Sequence, residues 1–200
     1  MTAYSYNLRV RVFVDFWNFQ SSLRREESRY NVDWNGLGRV LATEAARVVD
    51  ETARVAYQGM NVYGSYDPDN PNRFLHNTIA TFPGVQVAEV PRQRKREGPR
   101  CPQCRVEVAV CPQCNADMRG TEEKGVDARI ATDMIRLAWI GNYDVAVLAS
   151  SDRDFIPVVE FLETRNIKVI HCTFPDQAME LARTCWGSIP IPSIKERLRL

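Results

Sequence analysis

The chain has 200 residues, of which 44% are hydrophobic and 26% are charged, and its formal net charge is +1. This length and composition are typical of one globular domain that folds without disulfide support. The low net charge excludes a whole-protein field that attracts nucleic acid or membranes, so only local charge clusters are informative. The sequence has no apolar run near the ~20 residues that span a bilayer and no secretory signal pattern. We therefore expect a cytoplasmic protein without a membrane partner.

Strand and helix patterns alternate along the chain. Runs rich in β-branched and aromatic residues predict strands over 8–16, 52–66, 85–90, 143–150 and 167–174. Apolar residues at helical spacing predict helices over 34–49, 72–82, 125–140, 155–166 and 176–185. This alternation predicts an α/β fold with a mainly parallel sheet and helices on both faces. Ligands of such folds bind beyond the carboxyl ends of the strands.

Residues 91–124 interrupt this alternation with a polar segment that is punctuated by Pro and Gly. The segment is too long for an ordinary connection inside a compact domain, so we expect it to carry structure of its own. We predict one domain over residues 1–200 with a small insertion over 97–119. Residues 188–200 are interpreted as a tail.

Acidic residues recur at one predicted edge of the sheet. Asp15 ends the first strand within the apolar stretch VFVDFWNF, Asp152 follows the fourth strand, and Asp127 opens the helix before it. Asp154 begins the next helix. On a helical wheel, Asp127 falls inside the apolar stripe of its helix and Asp133 at the margin of that stripe, away from the solvent face.

Carboxylates that converge without matching cations repel one another, and a hard divalent cation relieves that repulsion. Mg²⁺ or Mn²⁺ in such a site suits phosphoryl chemistry, because it lowers the pKa of water and neutralises phosphate charge. His76 lies in a predicted helix and His171 within a predicted strand, which disfavours a histidine-based hydrolase. The alternative interpretation is that each aspartate caps a helix or forms an ion pair.

In three ordered motifs the sequence resembles a NYN domain of the LabA/DUF88 type, within the PIN-like nuclease superfamily. The motifs are VDFWN with Asp15 and Asn18, KGVDARIATD with Lys124, Asp127 and Asp133, and SSDRDF with Asp152 and Asp154. The resemblance extends from residue 9 to about residue 175. Ser151 departs from the family pattern, which usually has Gly there, and this change leaves the acids in place.

The resemblance implies a Rossmann-like three-layer α/β/α fold and a metal-dependent endoribonuclease that leaves a 5′-phosphate and a 3′-hydroxyl. Asp15, Asp127 and Asp152 would hold one or two Mg²⁺ or Mn²⁺ ions. The supporting residues would be Asp154, Asp133 and Asn18. Lys124 would contact a phosphate, or else is a solvated lysine. RNA is the expected partner, with single-stranded DNA as the alternative, and a homodimer is a family-level expectation.

Cys101, Cys104, Cys111 and Cys114 form two C-x-x-C pairs within CPQCRVEVAVCPQC. Four thiolates in a tetrahedral array suit Zn²⁺, and such closed sites are structural. The spacer RVEVAV alternates like a small hairpin arm. A redox dithiol pair and an iron–sulfur cluster are the alternatives, whereas Cys172 and Cys185 are interpreted as buried thiols.

Basic residues surround this cysteine segment and precede Asp127. A local basic run beside an acidic metal site suits a nuclease, since cations hold the phosphate backbone while the metal acts on it. The alternative is a solvated flexible loop. The candidate phosphate-binding residues, besides Lys124, are Arg92, Arg94, Lys95, Arg96, Arg100 and Arg105.

Two other functions remain open at this point. A non-catalytic nucleic-acid- or protein-binding module on the same fold has no need of several like charges in one place. A DNA nuclease or a phosphatase would use similar metal chemistry, but the second residue after Asp15 is Trp17. The D-x-D motif of aspartyl-nucleophile phosphatases is therefore missing.

Overall fold

A computed structural model describes residues 6–70, 73–174 and 177–200. Its strands, in chain order, are β1 (Asn7–Asp15), β2 (Arg54–Tyr66), β3 (Val85–Pro91), β4 (Gln93–Arg94), β5 (Thr121–Glu122), β6 (Val145–Ala149), β7 (Lys168–Thr173) and β8 (Gly187–Pro190). Six of them form one parallel sheet in the order β3-β2-β1-β6-β7-β8, and β4 and β5 form a separate antiparallel ribbon. The predicted α/β fold with a mainly parallel sheet is confirmed.

Helices cover both faces of this sheet. They are α1 (Phe16–Glu26), α2 (Trp34–Val49), α3 (Phe74–Asn77), α4 (Val126–Trp139), α5 (Ile156–Thr164), α6 (Met179–Thr184) and α7 (Ile191–Ile194). The apolar side of α2 packs into one core and the apolar sides of α4 and α5 into another. The chain therefore has the three layers, helix, sheet and helix, that the alternating pattern predicts.

Alternate residues of β1 pack into two different hydrophobic cores. Val12 and Val14 belong to the core on the α2 face, and Phe13 belongs to the core on the α4 face. All residues of β6 are buried, as expected for a central parallel strand covered on both sides. These apolar strands fix the register of the sheet and so the height at which each strand ends.

The strand order reverses between β1 and β6. From β1 the chain continues toward β2 on one side, and from β6 it continues toward β7 on the other. The connections therefore diverge and leave a crevice at the carboxyl ends of these two strands, which is the usual ligand position in doubly wound sheets. Asp15 is the last residue of β1, and Ser150 follows β6 directly.

Several predicted elements differ from the observed ones. The first strand ends at Asp15 and α1 follows without a turn, so the prediction missed a helix. In place of one helix over 72–82, the described part of that range holds α3 and a 3-10 turn at Ile79–Thr81. The predicted tail contributes β8, α7 and a 3-10 turn. The predicted helix over 176–185 is described from Gln177 onward, and its helical part is α6 (Met179–Thr184).

The insertion lies between the two strands of the β4–β5 ribbon. Arg92 braces the base of this ribbon, because its guanidinium donates to Thr121 Oγ1 at 3.0 Å and to Ser65 Oγ at 3.2 Å. The spacer between the cysteine pairs does not form the expected hairpin arm. Instead, isolated bridges join Arg100 to Glu107 and Val110 to Asp117, so each cysteine pair has a bridge of its own.

Across residues 6–70, 73–174 and 177–200, no helix has the length and apolar character needed to cross a membrane.

Candidate active site

Asp15 is buried at the crevice, with 5% of its surface exposed. It is the N-cap of α1, and its Oδ1 accepts the Asn18 backbone N–H at 3.2 Å. Its Oδ2 accepts the Ser150 hydroxyl at 3.2 Å, which links the end of β1 to the end of β6. In the part of the chain that the structure describes, no lysine or arginine pairs with this carboxylate. Asp15 thus faces the crevice with hydrogen-bond donors but without a cation.

The environment of Asp15 favours its protonated form. Its pKa is raised from 3.8 to about 6, and burial is the largest cause. The negative charges of Glu123 and Asp127 contribute to this rise, while the Asn18 N–H and the Ser150 hydroxyl oppose it. A carboxylate that is destabilised by burial and by other acids is a strong candidate for a cation ligand.

Asn18 and Ser150 shape the loop after β6. Asn18 Oδ1 accepts the Ser151 N–H at 2.8 Å, and Ser150 Oγ accepts the Asp152 N–H at 3.3 Å. Behind the loop, the buried His171 places Nε2 at 2.8 Å from the Ser150 carbonyl oxygen. Burial lowers the pKa of His171, so the neutral ring donates to that carbonyl. The D-x-x-N pair therefore holds two strand ends together.

Asp152 and Asp154 occupy the short 3-10 turn that follows this loop. Asp152 is half-buried and caps the turn, since its Oδ1 accepts the Asp154 N–H at 2.9 Å. One oxygen of Asp152 therefore acts as a cap, as the alternative interpretation of the aspartates expects. Asp154 is exposed beside it.

Asp127 approaches the same crevice from the first turn of α4. It is exposed, in contrast to the expected position inside the apolar stripe, because the helix begins only one residue earlier. Partial burial is the largest cause of the rise in its pKa, and the charges of Asp152, Glu123 and Asp154 add to this rise. Asp127 is thus linked by charge both to Asp15 at the end of β1 and to Asp152 and Asp154 after β6.

Glu123 is an acid of this site that the sequence prediction missed. Its charge raises the pKa of both Asp15 and Asp127. Its Oε2 is buried and has no hydrogen-bond partner in the described part of the chain. The sequence signal was its position next to the KGVD motif, but TEEK also resembles a solvated charged loop.

The donors at this crevice suit a hard divalent cation. All are carboxylate oxygens, and the unpartnered Glu123 Oε2 is the kind of buried acceptor that an ion would satisfy. Within the described residues, no three Asp, Glu, His or Cys side chains are placed to hold one ion together. Coordination by this set therefore requires its side chains to turn toward a shared ion.

Asp133 lies in a different environment from the other acids. It is buried, and its oxygens pair with Arg129 Nε at 3.2 Å and with Arg136 at 3.1 Å. The Tyr63 hydroxyl donates to the same carboxylate at 3.2 Å. It is also six residues beyond Asp127, which is about 9 Å along the helix axis. The contacts of Asp133 are therefore those of the alternative interpretation, in which the aspartate forms ion pairs.

The two cysteine pairs form similar tight loops. Backbone N–H groups of Gln103 and Cys104 point to the Cys101 sulfur and lower the pKa of its thiol. The second pair repeats this arrangement around Cys111. Arg105 and Asn115 have positive φ angles of 62° and 57° and close the two loops. Such N–H donors stabilise the thiolate form that a metal ion requires.

The predicted phosphate-binding residues have different surroundings. Arg94 pairs with Asp117 at 2.8 Å, Arg100 with Glu97 at 2.8 Å, and Lys124 with Glu122 at 2.8 Å. Arg92 is half-buried and donates to Thr121 and Ser65 at the base of the β4–β5 ribbon. The other six members of the set are exposed. Among the described residues, Lys95, Arg96 and Arg105 form no ion pair, and Lys95 and Arg96 line a cavity of about 270 Å³ with Lys124.

Comparison with known proteins agrees with this architecture. A crystal structure of a protein of unknown function from Vibrio parahaemolyticus has a similar fold, with a TM-score of 0.57 and 21% identity. The similarity covers 94% of this chain and 95% of that one. No curated protein matches the sequence. The NYN domain model matches residues 9–192. The chain therefore belongs to the NYN domain family, and this membership supports a nuclease of the PIN-like superfamily with a nucleic-acid substrate.

Proposed function

We propose that this protein is an Mg²⁺- or Mn²⁺-dependent endoribonuclease whose active site is the acidic crevice. The observation that carries the proposal is the buried Asp15, whose pKa is raised to about 6 at the point where the strand order reverses. Within the described residues, this carboxylate accepts the Asn18 N–H and the Ser150 hydroxyl but has no lysine or arginine partner to neutralise its charge. A divalent cation would compensate it in the folded protein.

The residues proposed to hold the ion are Asp15, Asp127 and Asp152, together with Glu123. When bound, the ion would supply charge neutralisation of the phosphate and activation of water. Asn18 and Ser150 are proposed to orient Asp15 and the loop that carries Asp152 toward the ion through the hydrogen bonds described above. Asp154 is proposed to support the site from its exposed position, and Asp133 from within α4.

The insertion is proposed to be a structural zinc module over residues 97–119. The thiolate-stabilising N–H groups around Cys101 and Cys111 support this assignment. Zinc would bring the two loops together through their four sulfurs. The module would then present the basic segment beside the active site, where its exposed cations contact the phosphate backbone of RNA.

The test is cleavage of labelled single-stranded RNA and single-stranded DNA by wild type and Asp152→Asn, with Mn²⁺, Mg²⁺ or EDTA. We expect metal-dependent cutting of RNA that the variant loses. Cutting of DNA alone would make the enzyme a DNA nuclease. No cutting by the zinc-loaded wild type with any metal would contradict the proposal and favour a non-catalytic binding module.

The placement of the acids favours that second candidate. A binding module needs no common coordination point, and the described residues hold no ready-made set of three ligands. Binding of RNA without cleavage, unaffected by Asp152→Asn, would support it. A homodimer and a cytoplasmic location stay predictions, and sedimentation of the purified protein tests the first.

A further inference from the structure

We propose that a basic groove along α4 holds the backbone of the substrate strand on one side of the scissile phosphate. The proposal rests on the proposed nuclease function. The groove, here called the α4 groove, has a volume of about 600 Å³ between α4 and the end of β3. The residues that line it and enter the argument are Gly125, Arg129, Thr132, Asp133 and Arg136.

The α4 groove begins at the N-terminus of α4, the helix end that also carries Asp127. Gly125 lines one end, and it is the N-cap of α4, two residues before Asp127. Arg136 lines the other end, eleven residues further on, which corresponds to about 16 Å along the helix axis. Asp127 lies on the other side of this first turn, so a strand whose phosphate lies at Asp127 would cross the N-terminus of α4 to enter the groove.

The charge of the α4 groove is positive at its surface. Arg129 and Arg136 share the single carboxylate of Asp133. The arginine side chains are 59% and 58% exposed, whereas the Asp133 side chain is 6% exposed. The two cations therefore face solvent and the anion lies beneath them, so the groove offers an excess of positive charge.

The spacing of the arginines suits a polyanionic strand. They are seven residues apart and so lie on the same side of α4, about 10 Å from each other along the axis. Each guanidinium has donors beyond those used for Asp133, and its planar fork matches phosphate oxygens. Two such groups in a row can contact separate phosphates of one strand. A groove with two exposed cations in a row is therefore better suited to a polyanionic strand than to a folded protein partner.

The first test is binding of a fluorescein-labelled single-stranded oligoribonucleotide, measured by anisotropy in EDTA so that no cleavage occurs. For Arg129→Gln/Arg136→Gln, loss of two phosphate contacts should reduce the slope of log K against log salt by about 1.4. Between about 50 and 200 mM salt, wild type should then lose about sevenfold more affinity than the variant.

The matched control is on the opposite face of the sheet. Arg47 and Arg197 also share one carboxylate, that of Glu44, so Arg47→Gln/Arg197→Gln removes the same charge from a similar arrangement. This control should keep the wild-type slope. An equal fall in both double variants would mean that net charge alone matters, and it would overturn the groove assignment.

A second variant changes affinity in the opposite direction and covers the case in which the double variant fails to fold. Asp133→Asn releases both arginines from their competing partner and should tighten binding about two- to fivefold at low salt. Glu44→Gln is its control and should leave affinity unchanged. Unchanged or weaker binding by Asp133→Asn overturns the proposal.

The outcomes separate the groove from the nuclease function. If wild type cuts RNA but the slope of Arg129→Gln/Arg136→Gln equals that of wild type, the groove proposal fails and the nuclease proposal stands. If wild type neither binds nor cuts nucleic acid, both fail.

Discussion

Replacement of Asp15 by Asn should make the metal-free protein more stable at neutral pH, although it removes the proposed catalytic function. Burial and the acids around Asp15 raise the pKa of its carboxyl from 3.8 to about 6. The folded chain therefore binds this proton more tightly than the unfolded chain does. As pH rises from about 4 to about 6, the free energy of unfolding of the wild type should fall, because the unfolded chain ionises first.

The magnitude follows from the two pKa values. The gap between 3.8 and about 6 corresponds to about 3 kcal/mol of destabilisation above pH 6, at 1.36 kcal/mol per pH unit. Asn keeps one acceptor oxygen, so the variant loses at most one of the bonds from Asn18 and Ser150, which costs about 1 kcal/mol. The expected net gain is about 2 kcal/mol, or about 4–8 °C in Tm for a chain of this length.

Thermal unfolding in EDTA at pH 7 and at pH 4 measures the effect. Asp15→Asn should melt above wild type at pH 7, and the difference should nearly vanish at pH 4. Asp33→Asn is the matched control, since Asp33 caps α2 by accepting the N–H groups of Asn35 and Gly36. The control should show no such gain. A variant that melts at or below wild type at pH 7, or a gain that is the same at both pH values, would refute the reasoning.

Four further outcomes are expected. Glu123→Gln should reduce the rise in Tm that Mn²⁺ gives to the wild type, because an unpartnered buried oxygen of the site loses its charge. Asn18→Ala should lower the free energy of unfolding by about 1–3 kcal/mol in urea titrations, since the Ser151 N–H loses its acceptor. Cys104→Ser should abolish stoichiometric zinc in elemental analysis while far-UV circular dichroism keeps the signal of the parallel sheet. Replacing the basic run Arg94, Lys95 and Arg96 by Ala should reduce the salt slope of RNA binding by about 1.4 rather than about 2. The reason is that Arg94 alone pairs with two carboxylates, those of Asp69 and Asp117, whereas Arg129 and Arg136 share one.

The alternation of strands and helices was predictable because central parallel strands are apolar on both sides. The range 145–149 is wholly buried and also wholly apolar in sequence. In contrast, α1 was missed because it follows β1 without a turn and opens with Phe16-Trp17, which resemble strand residues. Asp15 is a good N-cap signal, but the same residue also belongs to the site. β8 was missed because Pro190 disfavours strands, and only its edge position beside β7 accommodates it.

The part of the candidate site that lies at the ends of strands was predictable from the sequence. Asp15 and Asp152 come together because parallel strands bring their carboxyl ends to one edge. Glu123 was not predictable, because its role depends on how the stem of the insertion turns toward the crevice. The pairing of Asp133 had a sequence signal, since Arg129 and Arg136 stand four residues before and three after it. The family motif outweighed that signal.

Participation of the buried Asp15 carboxylate in catalysis is tested by comparing RNA cleavage by wild type and Asp15→Asn in Mn²⁺, with both proteins shown to be folded by their melting curves. We expect cutting by wild type that EDTA stops, and no cutting by a variant that is at least as stable. Cutting by Asp15→Asn at the wild-type rate would contradict this expectation, because the buried carboxylate would then have no part in the chemistry.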